Sequence, residues 1–156
     1  MPDDLDVHER RILAILQSDS SRSNADIANE IGLSEAPCWR RIQRLKKEGF
    51  IKSQVSLLDR AKLGFNTEIF ALVKLTAVGR SNVAEFAKAI GEFPEVLECF
   101  VMMGSSDFML RIVTRDIKAY ERFFFDKLSQ VSGVQDINSL VTLSEIKSTT
   151  QLPLDT

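Results

Sequence analysis

The sequence predicts an α+β protein in two parts: an N-terminal winged helix-turn-helix over residues 1–58 and a C-terminal ferredoxin-like βαββαβ domain over 67–156, joined by a linker at 59–66. Three observations carry this. Ser23 to Gly49 reads as two short helices joined by a tight turn at Gly32-Leu33, the second of them basic, which is the helix-turn-helix pattern. Beyond Asn66, apolar residues repeat with period two, then at helical spacing, in the order β-α-β-β-α-β. At 156 residues the chain has room for two small domains, and its 44% apolar content suffices for a core in each.

The helices announce themselves by their ends. Asp6 with Glu9 three residues on resembles a capping box, and Ile12, Leu13 and Leu16 follow at helical spacing. Ser23 with Asp26 starts a second helix, with Ile27, Ala28 and Ile31 inward, and Gly32 suits its left-handed end. Ser34 is placed to cap a third helix, Pro37 falls in its first turn, and Gly49 ends it. On that third helix Cys38, Ile42 and Leu45 share the inner side. Ala36, Arg40, Gln43 and Lys47 fall opposite, with Arg44 beside them and Trp39 on the flank. Phe50 to Leu58 has strand character and is expected to form the wing. Leu58 to Phe65 reads as a short helical turn.

In the second part, Ile69, Ala71, Val73, Leu75 and Ala77 alternate as a strand. A helix follows from Ser81 or Asn82, with Val83, Phe86, Ala87 and Ile90 inward. Val96–Met103 and Phe108–Thr114 form a hairpin about Gly104-Ser105-Ser106-Asp107. Asp116 caps a helix burying Tyr120, Phe123, Phe124 and Leu128, and Val134 to Ile146 is the last strand. Two helices on one face of four strands leave the other face, with Phe70 and Leu72, uncovered. A second copy packed by two-fold symmetry is its simplest cover.

Charge and chemistry narrow the function. The net charge is −2, yet residues 34–53 carry Arg40, Arg41, Arg44, Lys46, Lys47 and Lys52 against Glu35 and Glu48, a net of +4. A basic patch on an acidic protein is the footprint of one element that touches phosphate. Arg40 and Gln43 are of the types that read guanine and adenine edges, and small Ala36 permits close approach. Arg41, Arg44, Lys46 and Lys47 suit phosphate contacts, and Ser34 stands at the start of the same helix. No run of about 18 apolar residues exists, so no membrane span is expected. The acidic start MPDDLDVHERR is unlike a signal peptide, and a cytoplasmic protein is expected. Cys38 and Cys99 form no metal or disulfide framework, and His8, the only histidine, has no nucleophile pattern beside it. No P-loop or dinucleotide fingerprint appears, so neither an enzyme nor a cofactor is expected.

The whole chain resembles the Lrp/AsnC, or feast/famine, family of transcriptional regulators. The resemblance is carried by LDVHERRILAILQ, NADIANEIGLS, PCWRRIQRLKKEGFI, LLDRAKLG, MMGSSDFMLR and EIKSTTQLP. It implies a winged helix-turn-helix bound to double-stranded DNA, a ligand-sensing ferredoxin-like domain, and homodimers that assemble further, commonly to octamers. It also implies small-molecule effectors, usually amino acids, between dimers. Carried over by motif, the effector site is Gly104, Ser105, Ser106 and Asp107, with Met102 and Met103 leading in and Ser139 facing the same pocket. The chemistry fits, because turn N–H groups suit an α-carboxylate and Asp107 an α-ammonium. The competing reading is an architectural DNA-binding protein that responds to no effector.

Overall fold

Local signals fix the first three helices. The computed structural model describes residues 5–154; the acidic start Met1 to Asp4 and the end Asp155-Thr156 lie outside them. Helix α1, Val7–Ser18, opens with the expected capping box. The Asp6 carboxylate accepts the Glu9 N–H at 2.8 Å, and the Glu9 carboxylate accepts the Asp6 N–H at 3.0 Å. Helix α2, Asn24–Ile31, starts under the Ser23 hydroxyl and ends at Gly32, whose φ of 74° lets the chain reverse into α3, Glu35–Lys47. Ser34 occupies the cap position of α3 but makes no side-chain cap bond. Its usual target is the N–H of the third helical residue, and that residue is Pro37, which has none. Leu5, Ile12, Ile27, Ala28, Ile31, Cys38, Ile42 and Leu45 form the core of this unit.

The expected wing strand does not form among the described residues. Residues 50–58 contain no strand, and Val55, Leu57 and Leu58 are exposed. A strand needs a partner ladder, and no described segment supplies one. The turn at 60–64 forms without becoming a helix. The Asp59 carboxylate accepts the N–H groups of Ala61 and Lys62.

The second unit is a four-stranded antiparallel sheet in the order β2-β3-β1-β4, as the ferredoxin-like reading requires. Its strands are β1 Thr67–Leu75, β2 Val96–Val101, β3 Phe108–Thr114 and β4 Val134–Val141. Strands β2 and β4 stop short of the expected Met103 and Ile146 because their partners end: Val101 pairs with Phe108, the first residue of β3, and Val141 with Ile69, near the start of β1. Helices α5, Val83–Gly91, and α6, Ile117–Asp126, cover one face. Phe86 and Ile90 are buried, whereas Val83 and Ala87, also expected inward, are exposed; the short α5 meets the sheet along one i,i+4 line. An unforeseen helix α4, Ala77–Ser81, takes the end of the predicted first strand. It crosses backbone to backbone against Gly133: a Cβ on Gly79 would lie 2.5 Å from the Gly133 carbonyl oxygen. The Thr76 N–H donates to that same oxygen at 2.8 Å.

By contacts the chain divides into residues up to Leu57 with the tail from Lys147, and Leu58–Ile146. The tail, read from sequence as part of the second domain, thus groups with the first. There the Gln17 side chain donates to the Leu152 carbonyl at 3.0 Å and accepts the Leu152 N–H at 2.8 Å.

Candidate nucleic-acid interface and effector turn

Cys38, Ile42 and Leu45 anchor α3 in the core of the first unit. That packing turns Ser34, Ala36, Arg40, Gln43 and Lys47 outward, all of them exposed. Trp39 is 50% exposed on the flank and is not part of the core. Among the described residues Arg40 and Lys47 make no ion pair, while Arg41 and Arg44 do. Arg41 donates to Asp6 through Nε and Nη2, both at 3.2 Å. Arg44 donates to Glu9 at 2.8 Å and to Glu48 at 3.0 Å. Asp6, Glu9, Pro37, Arg40, Arg41 and Arg44 line a shallow depression of about 310 Å³. Burial raises the Asp6 pKa, but the Glu9 N–H and the Arg41 guanidinium together lower it further, so it lies below the ordinary carboxylate range. Sequence reasoning missed these pairings; the capping-box glutamate was visible, but its second partner 35 residues away was not.

The turn between β2 and β3 is held at its base. The Met102 N–H donates to the Asp107 carbonyl and the Asp107 N–H to the Val73 carbonyl, both at 2.9 Å. The Asp107 carboxylate accepts the Leu75 N–H at 2.7 Å through Oδ2, and its Oδ1 stands 3.6 Å from Arg80 Nη1. Arg80 was not foreseen as part of this cluster. Gly104 has φ 153°, and the N–H groups of Gly104, Ser105 and Ser106 donate to no acceptor among the described residues. Met103 is fully exposed and Met102 40% exposed.

Ser139 lies elsewhere. It pairs with Ala71 on the edge strand β4 and faces the helices, where its hydroxyl bonds that of Tyr120. With Ile117, Glu121, Phe124 and Phe125 these two line an open concavity of about 350 Å³. Strand β1 lies between Ser139 on β4 and the turn that leads into β3, and the concavity at Ser139 is lined by none of the residues Met102 to Asp107.

On the uncovered sheet face Phe70 and Leu72 are half-buried, and Phe100 and Leu140 are exposed. Beside them Arg111 bridges Glu68 at 2.7 Å and Glu98 at 3.1 Å. Among the described residues no cluster of three His, Cys, Asp or Glu could hold a metal, and no helix is long and apolar enough to cross a membrane.

Comparison with known proteins agrees with this geometry. Residues 68–152 match the family model of the Lrp/AsnC ligand-binding domain, and residues 5–52 that of a winged helix-turn-helix DNA-binding domain. The transcriptional regulator AzlB of Bacillus subtilis is 35% identical, over 97% of this chain and 96% of its own. Among solved structures, an AsnC family transcriptional regulator from Agrobacterium tumefaciens superposes with a TM-score of 0.90 at 38% identity, covering 96% of this chain and 97% of that one. A Neisseria meningitidis transcriptional regulator in complex with L-Met superposes at 0.91 with 32% identity, covering 96% of each chain.

Proposed function

We propose, since this chain belongs to the Lrp/AsnC family of DNA-binding transcriptional regulators, that it reads an operator through α3 and answers to a free amino acid. The observation that carries the DNA assignment is the exposed stripe of Ser34, Ala36, Arg40, Gln43 and Lys47 opposite a buried face. Arg40 and Gln43 meet base edges, Ala36 allows the approach, and Ser34 and Lys47 meet phosphate. Arg41 and Arg44 flank the stripe from their pairs with α1. The protein acts by binding and not by catalysis, and its DNA partner places it in the cytoplasm.

The effector reading is supported by the unpaired N–H groups of the turn, by the Asp107 carboxylate beside them, and by L-Met in the Neisseria relative. The turn residues Gly104, Ser105 and Ser106 take the α-carboxylate and Asp107 the α-ammonium, with Met102 and Met103 against the side chain. Ser139 and its concavity share no lining residue with the turn of the same chain, so a turn from another copy completes the pocket. Assembly is therefore part of the function. The sheet face bearing Phe70 and Leu72 joins two chains, and dimers assemble further, to an octamer.

The test is a thermal-shift screen over the amino acids, with affinity measured in parallel for a duplex enriched by the protein from a randomised pool. A ligand that binds the folded protein raises its stability, and reciprocity demands that it alter DNA affinity if DNA alters its own. Arg40→Ala should weaken the enriched duplex by about 1–3 kcal/mol and relax sequence preference. Unchanged binding by that variant removes α3 as the reader, and silence from every amino acid favours the architectural reading.

A further inference from the structure

Glu9 stands out in the first unit because its side chain is only 2% exposed, and carboxylates are rarely buried unless paired. Both of its oxygens are engaged: Oε2 accepts the Asp6 N–H at 3.0 Å and Oε1 accepts from Arg44 Nη1 at 2.8 Å. A glutamine could not replace it in both bonds, since an amide side chain offers one acceptor atom. Glu48 takes the Nε side of the same guanidinium at 3.0 Å. The basic residues of α3 thus fall into two sets. Arg41 and Arg44 are tied to carboxylates, whereas Arg40, Lys46 and Lys47 make no ion pair among the described residues. Arg44 between two carboxylates is a cluster of net negative formal charge, which gains little from a phosphate.

We propose that Glu9 is a positioning residue for DNA recognition. It holds Arg44 against α1, so that Arg44 braces α3 at a fixed angle and does not neutralise a phosphate. Contact with DNA is left to the residues outside the brace. This rests on α3 being the helix that meets DNA, and it deepens that reading: an acidic residue of α1, buried against α3, sets how many cations of α3 the duplex can use.

The experiment measures the salt dependence of affinity for a random-sequence duplex, using the full-length protein and thermal melts to confirm folding. Glu9→Gln removes the buried carboxylate that holds Arg44 and leaves the exposed i,i+4 pair with Glu48, which is weak and yields to a phosphate. The slope of log affinity against log salt should steepen by about 0.9, so a roughly fourfold rise in salt costs the variant about 3.5-fold more affinity than wild type. The ratio of enriched-duplex to random-duplex affinity should fall. Arg44→Gln, and the double variant, should keep the wild-type slope. A role confined to folding would lower the melting temperature without moving the slope. A wild-type slope in Glu9→Gln, or a slope shallower by about 0.9 in Arg44→Gln, overturns the proposal. The double variant leaves no buried charge and serves where a single variant does not fold: a wild-type slope supports the brace, and a slope shallower by about 0.9 overturns it. If Arg40→Ala binds like wild type, the α3 reading itself has failed; if it loses binding while the slopes go against the brace, only this inference has.

Discussion

Replacing Gly79 by alanine sets two effects against each other, and the structure decides between them. Gly79 lies in helix α4, where propensity alone makes alanine better by about 1 kcal/mol. The new methyl would lie 2.5 Å from the Gly133 carbonyl oxygen, 2.9 Å from its Cα and 3.0 Å from its carbonyl carbon. Non-bonded carbons rest at about 3.5–4.0 Å, so the two backbones must part by several tenths of an ångström or more. Overpacking of this kind costs about 1–3 kcal/mol. The Thr76 N–H bond to the same oxygen, 2.8 Å long, must stretch as well, a further loss of about 0.5–1.5 kcal/mol. The net expectation is about 2 kcal/mol of destabilisation, or a melting temperature lower by about 8–16 °C for a unit of this size. Calorimetry on the full chain measures it. Gly91→Ala is the control, since nothing lies within 4 Å of a Cβ there; that variant should melt at or slightly above wild type. A Gly79→Ala protein that melts at or above wild type refutes the close-crossing argument. Arg80 follows directly and faces Asp107 at 3.6 Å, so amino-acid binding should weaken together with stability.

Three other outcomes are expected. Asp107→Asn keeps an acceptor for the Leu75 N–H but loses the charge facing Arg80, so titration calorimetry should show amino-acid binding lost while the melting temperature stays near wild type. Phe70→Asp places a charge on the uncovered sheet face and should shift the protein towards monomer in light scattering, with its secondary structure intact. The Asp6 carboxyl titrates below its ordinary range when folded. Its contribution to stability is therefore complete above the unfolded value, about pH 4, and is lost as pH falls through the folded value. Urea unfolding followed from pH 5 downward should show a shallower acid limb for Asp6→Asn than for wild type.

Features that a few neighbouring residues determine were legible in the sequence. The Asp6–Glu9 box, the Ser23 cap and the Gly32 reversal each depend on residues within four positions, and all three formed as read. The inner face of α3 followed from helical spacing alone. The sheet order was legible because βαββαβ patterns leave few ways to connect. What failed needed a partner from outside the segment. Ser34 lost its cap bond to a proline three residues on, a local clue that was available. The strand character of 50–58 found no ladder in its own chain. Strand ends depended on where partners stop. At the candidate sites, the outward face of α3 was readable, but which of its arginines α1 would claim was not. That Ser139 would bond Tyr120 and line a concavity apart from the Gly104 turn is a matter of helix packing on the sheet, not of motif.

The tail that returns to Gln17 makes the second unit, in topology, an insertion. Both ends of Leu58–Ile146 run into segments that group with the helix-turn-helix. Unfolding the inserted unit would leave a loose loop of about 90 residues pinned at both feet, and such closure is entropically dear but grows only slowly with length. The pinned loop is more restricted than a free chain, so the grip of Gln17 on Leu152 stabilises the inserted unit without touching its core. A DNA-binding fragment cut after Leu57 is then not a natural piece of this molecule: it leaves its last segment, and the acceptor and donor that Gln17 uses, on the other side of the cut.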